Sequence, residues 1–238
     1  MPHSFDQFQA KRDSALQDAA GKLAAADRDA MLVQAILQRY SKDRPRVMVT
    51  DVVSTGVSDL PLPTGDVAKF EDGFSEVMQM EYPVGDVPEN IVLPENWYMY
   101  RSPSGLTVRL LSETPPSGDS VRLTWSARHA DDGTTVPDQD FDAVCDYAAA
   151  LGFEALAAVY AQTGDASISA DTVNYRTKGQ EYLALAKAAR KRYFDHVGIP
   201  ESGSSGAAQV GPAIAIGSQR EEIGLAGIDR LTHPKSTR

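Results

Sequence analysis

His129 is followed by Asp131 and Asp132. An imidazole with a carboxylate to orient it is the arrangement of a general base. The same residues also suit the end of a strand passing into a polar loop, and that plainer reading is the expectation. Asp131, Asp132, Asp138, Asp140, Asp142 and Asp146 crowd one stretch. Their spacing is not that of a calcium loop. Several stand where a helix should begin, where carboxylates complement the helix dipole. His3, His129, His196 and His233 fall in no metal-ligand spacing, and His196 is expected as a cation near a helix C-terminus. Cys145 is the single cysteine, so no disulfide within the chain is possible. It lies on the apolar pattern Phe141, Val144, Cys145, Ala148, with Asp142 and Asp146 beside it. Acidic neighbours disfavour a reactive thiolate, so a small core residue is expected.

Lys187, Arg190, Lys191 and Arg192 form the one positive run. It reads as a solvated face that complements the helix dipole, or as a contact to an acidic neighbouring subunit. DNA contact is a weaker third reading. Phosphate-binding glycine loops and the nucleophile elbow of hydrolases are absent from the sequence. No catalytic residue, cofactor or metal is therefore assigned, and the expectation is a protein that is not an enzyme. A small hydrolase built on His129 and the aspartates is the remote alternative.

The elements that must position these residues fall into four stretches. Residues 1–44 read as two helices, the first capped by Ser4 with Gln7 three positions on. Its stripe is Phe5, Phe8, Leu16, Ala19 and Leu23, with a bend or break near Gly21. The second begins near Asp27, carries Leu32, Ile36, Leu37 and Tyr40, and stops before Pro45. Residues 45–136 lose helical periodicity. Strands are expected at 47–53, 74–82, 97–101, 106–111 and 121–127, punctuated by Pro and Gly. Ser102-Pro103-Ser104-Gly105 and Pro115-Pro116-Ser117-Gly118 read as loops of a three-stranded antiparallel meander. Val121, Leu123 and Trp125 alternate with Arg122, Thr124 and Ser126, as one buried and one wet face require.

Residues 137–198 return to helical spacing. Asp138 is a plausible cap for a first helix, which ends near Gly164. Ser169 or Asp171 opens a second helix with the stripe Tyr182, Leu185, Ala186, Ala189, Tyr193 and Val197, and Gly198 and Pro200 end it. Residues 199–238 contain Gly203-Ser204-Ser205-Gly206 and then the apolar residues Val210, Ile214, Ile216, Ile223, Leu225, Ile228 and Leu231. Such a segment is too glycine-rich for a core of its own. It is expected to be an extended arm that docks on another subunit, the alternative being a disordered tail. The fold class expected is α+β: a helical bundle with an inserted antiparallel β domain and an extended C-terminal arm.

The net charge of −10 and pI near 4.8 argue against a protein that grips nucleic acid. They do not argue against DNA passing nearby, because an acidic wall repels phosphate and gives it nothing to stick to. No leader peptide and no stretch of about 20 apolar residues is expected, so synthesis in the cytoplasm and no membrane partner are the expectation.

Certain phrases resemble a known family. Tyr40-Ser41-Lys42-Asp43-Arg44-Pro45-Arg46 closes a helix and leads into a strand. Asp72-Gly73-Phe74-Ser75, Glu81-Tyr82-Pro83 and Val136-Pro137 follow, then the helix around 155–163, then Asp171, Val173, Tyr175, Lys178, Glu181-Tyr182, Ala186, Arg190 and Tyr193. Over residues 5–197 the chain resembles tailed-bacteriophage head-to-tail connector (neck adaptor) proteins. That resemblance implies a structural virion protein at the head–tail junction. It would form a homo-oligomeric ring of about twelve subunits, bound to the portal protein and to a tail or second neck protein, with DNA passing through. The β stretch is larger than a minimal helical adaptor needs, so a tail terminator, tail-completion or baseplate subunit stands as the alternative.

Overall fold

The computed structural model describes residues 3–18, 21–65, 69–103, 105–162 and 175–200. All lie within one compact unit, Met1–Glu201. The arm positions Val210, Ile214, Ile216, Ile223, Leu225, Ile228 and Leu231 lie outside the described residues, as do Ala19, Ser169 and Asp171.

Helix α1 (Phe5–Leu16) begins where the Ser4 N–H donates to Gln7 Oε1 at 3.0 Å, the returning bond of a capping box. It ends sooner than the apolar stripe implied. Gln17 takes a left-handed φ of 46° and its N–H closes on the Asp13 carbonyl. Helix α2 (Ala25–Gln34) runs into a π-helical segment, Ala35–Tyr40, and a last turn, Ser41–Asp43. The wide turn has a partner: the Ser41 hydroxyl donates to the Ile36 carbonyl, five residues back, at 2.8 Å. The same hydroxyl accepts the His129 N–H at 3.0 Å.

Six strands follow: β1 (Arg46–Val53), β2 (Asp59–Leu60), β3 (Val77–Glu81), β4 (Trp97–Ser102), β5 (Gly105–Leu110) and β6 (Ser120–Ala127). They form two antiparallel three-stranded sheets, ordered β1-β6-β3 and β2-β5-β4. The β4–β5 hairpin is the expected one, with Ser102 opposite Gly105. The expected meander is not. Pro115–Gly118 carries the chain from one sheet to the other, and β6 pairs with β1 from Arg46–Ala127 to Val53–Ser120. Ser54 holds that crossing: its hydroxyl donates to the Pro115 carbonyl at 2.8 Å, and its backbone bonds Gly118 and Asp119. The expected strand 74–82 is also shorter, because Ser75 N–H turns back to the Glu71 carbonyl.

Both sheets contribute to one core of Val52, Leu60, Met80, Val108, Val121, Leu123 and Trp125. The alternation in β6 is as expected at Val121, Leu123 and Trp125. Ser126 is buried rather than wet, its hydroxyl accepting the Glu76 N–H at 2.8 Å.

A 3₁₀ turn, Asp138–Asp140, leads into α3 (Phe141–Gln162), which packs against α4 (Tyr175–Val197). Gly198, at φ 78°, ends α4, with its N–H and that of Ile199 both donating to the Phe194 carbonyl. Phe8, Leu32, Ile36, Val144, Ala148 and Tyr193 centre one helical core, and Leu16, Phe153, Leu156 and Ala186 a second. Burial of one such large side chain stabilises the fold by about 1.5–3 kcal/mol. Leu185 does not join the stripe; it is 48 % exposed on the outer side of α4. The sequence expectation also understated α3. Residues 138–161 are long and apolar enough to cross a membrane by length and composition alone. Here that apolarity has a packing cause: Ala143, Val144, Ala148, Ala149, Phe153 and Leu156 are all buried among α1, α2 and α4. The architecture is α+β.

Candidate functional site

A dense polar cluster joins the end of α2 to the start of α3 and the end of α4. Asp140 is 1 % exposed at its centre. Tyr40 donates its hydroxyl to Asp140 Oδ2 at 2.6 Å, and Arg44 donates to both carboxylate oxygens at 2.8 and 2.9 Å. His196 Nε2 lies 2.7 Å from Oδ1. Arg44 also reaches the Val197 carbonyl at 3.4 Å, at the negative end of the α4 dipole. Burial alone would raise the Asp140 carboxyl, but the bonds from Tyr40, His196 and Arg44 overcome it and hold the group below the usual carboxylate range. The same burial, with the carboxylate beside it, pushes the Tyr40 hydroxyl upward. One turn away, Asp43 accepts the Tyr193 hydroxyl at 2.7 Å, and the Arg39 guanidinium lies 2.7 Å from it. Burial followed by that bond raises Tyr193 in the same way.

His129 belongs to this junction and not to Asp131 or Asp132. Its Nε2 lies 2.9 Å from the Arg44 carbonyl, and its Nδ1 lies 3.0 Å from the Thr135 carbonyl and 3.1 Å from the Thr135 hydroxyl. The ring is 5 % exposed, and burial pushes its pKa below the ordinary value. In the neutral ring Nε2–H can donate to the Arg44 carbonyl and Nδ1 accept from the Thr135 hydroxyl, the nearby Thr135 carbonyl being an acceptor only. Both nitrogens are thus engaged in holding the β6 exit to the end of α2. Arg128 adds to this, donating to the Leu37 carbonyl at 2.8 Å and pairing with Glu71 at 2.6 Å.

The acidic stretch is dispersed among separate partners. Asp138 pairs with His3, Asp142 with Lys11 at 3.0 Å, and Asp146 with Arg192 at 2.6 Å. Asp132 takes the Thr134 N–H and hydroxyl. Among the described residues no group of side chains is placed to hold a metal ion. Cys145 is buried, its thiol 3.8 Å from the Phe8 carbonyl and pushed up to about 12 by burial and by Asp142.

The basic run divides. Arg190 pairs with Glu154 at 2.6 Å and Arg192 with Asp146, tying α4 to α3. Lys187 and Lys191 point outward and are exposed. The outer surface also carries bare apolar groups. Val47, Val49 and Val53 on β1 are 60, 58 and 56 % exposed along the open edge of their sheet. Val87 is 98 % exposed and Leu183 is 53 % exposed. An eight-residue edge strand with an apolar outer face is a surface that soluble proteins ordinarily blunt.

The Asp140 cluster was not foreseen from the sequence. The signal present was Tyr40, Asp43 and Arg44 packed into the last helical turn before Pro45, more polar groups than a solvated helix end requires. What they turn toward lies about a hundred residues on and has no local trace.

No protein-family profile and no curated protein matches this chain. Solved structures similar to it include a chain of "Neck of empty GTA particle computed with C6 symmetry", 14 % identical, TM-score 0.27, covering 74 % of this chain and 87 % of that one. Another is a chain of "Virion of native gene transfer agent (GTA) particle", 14 % identical, TM-score 0.26, with the same coverage. Superpositions at these TM-scores do not establish a common fold.

Proposed function

We propose that this chain is a structural subunit of a tailed-phage virion, an adaptor ring at the neck between portal and tail, and not an enzyme. The observation that carries the reading is the use of its reactive side chains. His129, Asp140, Tyr40, Arg44 and Cys145 each hold one element to another. Exposed apolar groups among the described residues include those on β1, Val87 and Leu183 on α4. That is the economy of a part built to be assembled. The likeness of residues 5–197 to neck adaptors supports the same reading, and the excess of negative charge suits a conduit for DNA. In this reading the arm from residue 201 onward reaches a neighbouring subunit or the portal through Val210, Ile214, Ile216, Ile223, Leu225, Ile228 and Leu231. A tail terminator or baseplate subunit is the second reading, favoured by a β part that supplies a whole two-sheet core.

Co-expression with the portal protein of the same particle separates the two. A stable complex that is lost when residues 201–238 are removed is expected of an adaptor. A ring that ignores the portal and binds tail-tube protein would replace the adaptor with the second reading.

A further inference from the structure

We infer that the loop tip at residues 84–89 docks on the outer row of α4 in a second copy of this chain, forming the repeating contact of the ring. The inference rests on the ring reading above and names the two surfaces that would meet. The tip projects from the end of β3. It presents Val87, 98 % exposed, with the exposed carboxylates of Asp86 and Glu89 on either side. It is held in shape from below. Tyr82 N–H donates to the Asn90 carbonyl at 3.0 Å, Val92 N–H to the Met80 carbonyl at 2.9 Å, and Gly85 N–H to Glu81 at 2.9 Å. Glu81 is itself fixed by Arg122 at 3.3 Å. Val87 is the most exposed of the large apolar side chains among the described residues.

The surface that fits it is on α4. Leu183, Lys187 and Lys191 stand four residues apart, so they form one row on the helix. All three are exposed. An apolar group flanked by two carboxylates on one side thus faces, in composition, an apolar group followed by two ammonium groups on the other. Arg190 and Arg192 on the same helix are already paired within the chain, whereas no ion pair joins Lys187, Lys191, Asp86 or Glu89 among the described residues. A chain of net charge −10 repels its own copies, so a local basic face favours self-contact, and Lys187 and Lys191 supply one before the row ends at the exposed Asp195. The two surfaces differ, so the contact is head-to-tail and repeats around a ring if the rotation closes.

Charge reversal tests the pairing. One variant carries Asp86→Lys and Glu89→Lys, the other Lys187→Glu and Lys191→Glu. All four positions are exposed, so thermal unfolding of each variant should match the parent. Self-association is followed by sedimentation from micromolar to millimolar full-length protein. Each variant alone should associate at least about tenfold more weakly than the parent. An equimolar mixture should recover assembly, because the lysine-bearing tip of the first variant meets the glutamate-bearing row of the second while the unaltered tip of the second meets the unaltered row of the first, and native mass spectrometry should find the two alternating. Variants that assemble as the parent does, or a mixture that stays apart, would overturn this contact and leave the ring reading standing. A parent chain that stays monomeric over the whole range would likewise overturn this contact as one that drives assembly, while the ring reading itself stands or falls by the portal co-expression above.

Discussion

Burial of the His129 imidazole makes the fold sensitive to mild acid. Desolvation is the largest effect on the ring and holds its pKa below the ordinary 6.5, although the Arg44 and Thr135 carbonyls favour a proton. Above about pH 6.5 the ring is neutral whether the chain is folded or not, and contributes no pH dependence. Below that, the unfolded chain binds a proton that the folded chain refuses, so stability falls until the folded value is passed. Thermal unfolding from pH 7 to pH 5 should therefore drop more steeply in the parent than in His129→Gln; equal slopes would remove the effect from His129. At this scale the sequence was partly legible. Cys145 sits in the apolar pattern that predicts its burial. His129 was rightly expected to leave a strand for a loop, but its bonds to Arg44 and Thr135 depend on a packing that spacing does not encode.

At the scale of elements, α1 is seated by two glycines far away in sequence. Gly133 has φ 73°, and a Cβ there would lie 2.7 Å from the buried Phe8 ring. Gly152 lies within α3, and a Cβ there would lie 2.6 Å from Leu16 Cδ2. Alanine ordinarily stabilises a helix over glycine by about 1 kcal/mol. Here Gly152→Ala should instead destabilise, by about 1–3 kcal/mol, because it pushes on a filled core. Gly133→Ala should cost more, since strain at positive φ adds about 1–2 kcal/mol to the same collision. Urea unfolding of both variants checks the sign and the order, and a Gly152→Ala protein more stable than the parent would contradict the packing described.

The elements themselves were largely readable: five of the six strands and all four helices announce themselves by period and by Ser4, Pro45 and Gly198. Their pairing was not. Pro115-Pro116-Ser117-Gly118 reads the same whether its strands neighbour each other or change sheets, and only the register of β6 on β1 and β3 decides. β2 is two residues long and carries no period at all.

For the whole molecule, the described unit accounts for its own interior and leaves its outside incomplete. Two sheets share one core and the helices close two more. The Asp140 junction ties the ends of α2, α3 and α4, with Arg44 reaching both Asp140 and Val197. The described surface includes an open edge on β1, a bare valine at residue 87 and a row of exposed cations on α4. In the proposed ring these are the surfaces that neighbouring subunits would cover.

The direct measurement is quantitative mass spectrometry of purified tailed particles made by the genome that encodes this chain, with copies counted against the portal protein. About one copy per portal subunit is expected, as a ring stacked beneath the portal requires. Absence of the chain from purified particles would contradict the virion reading.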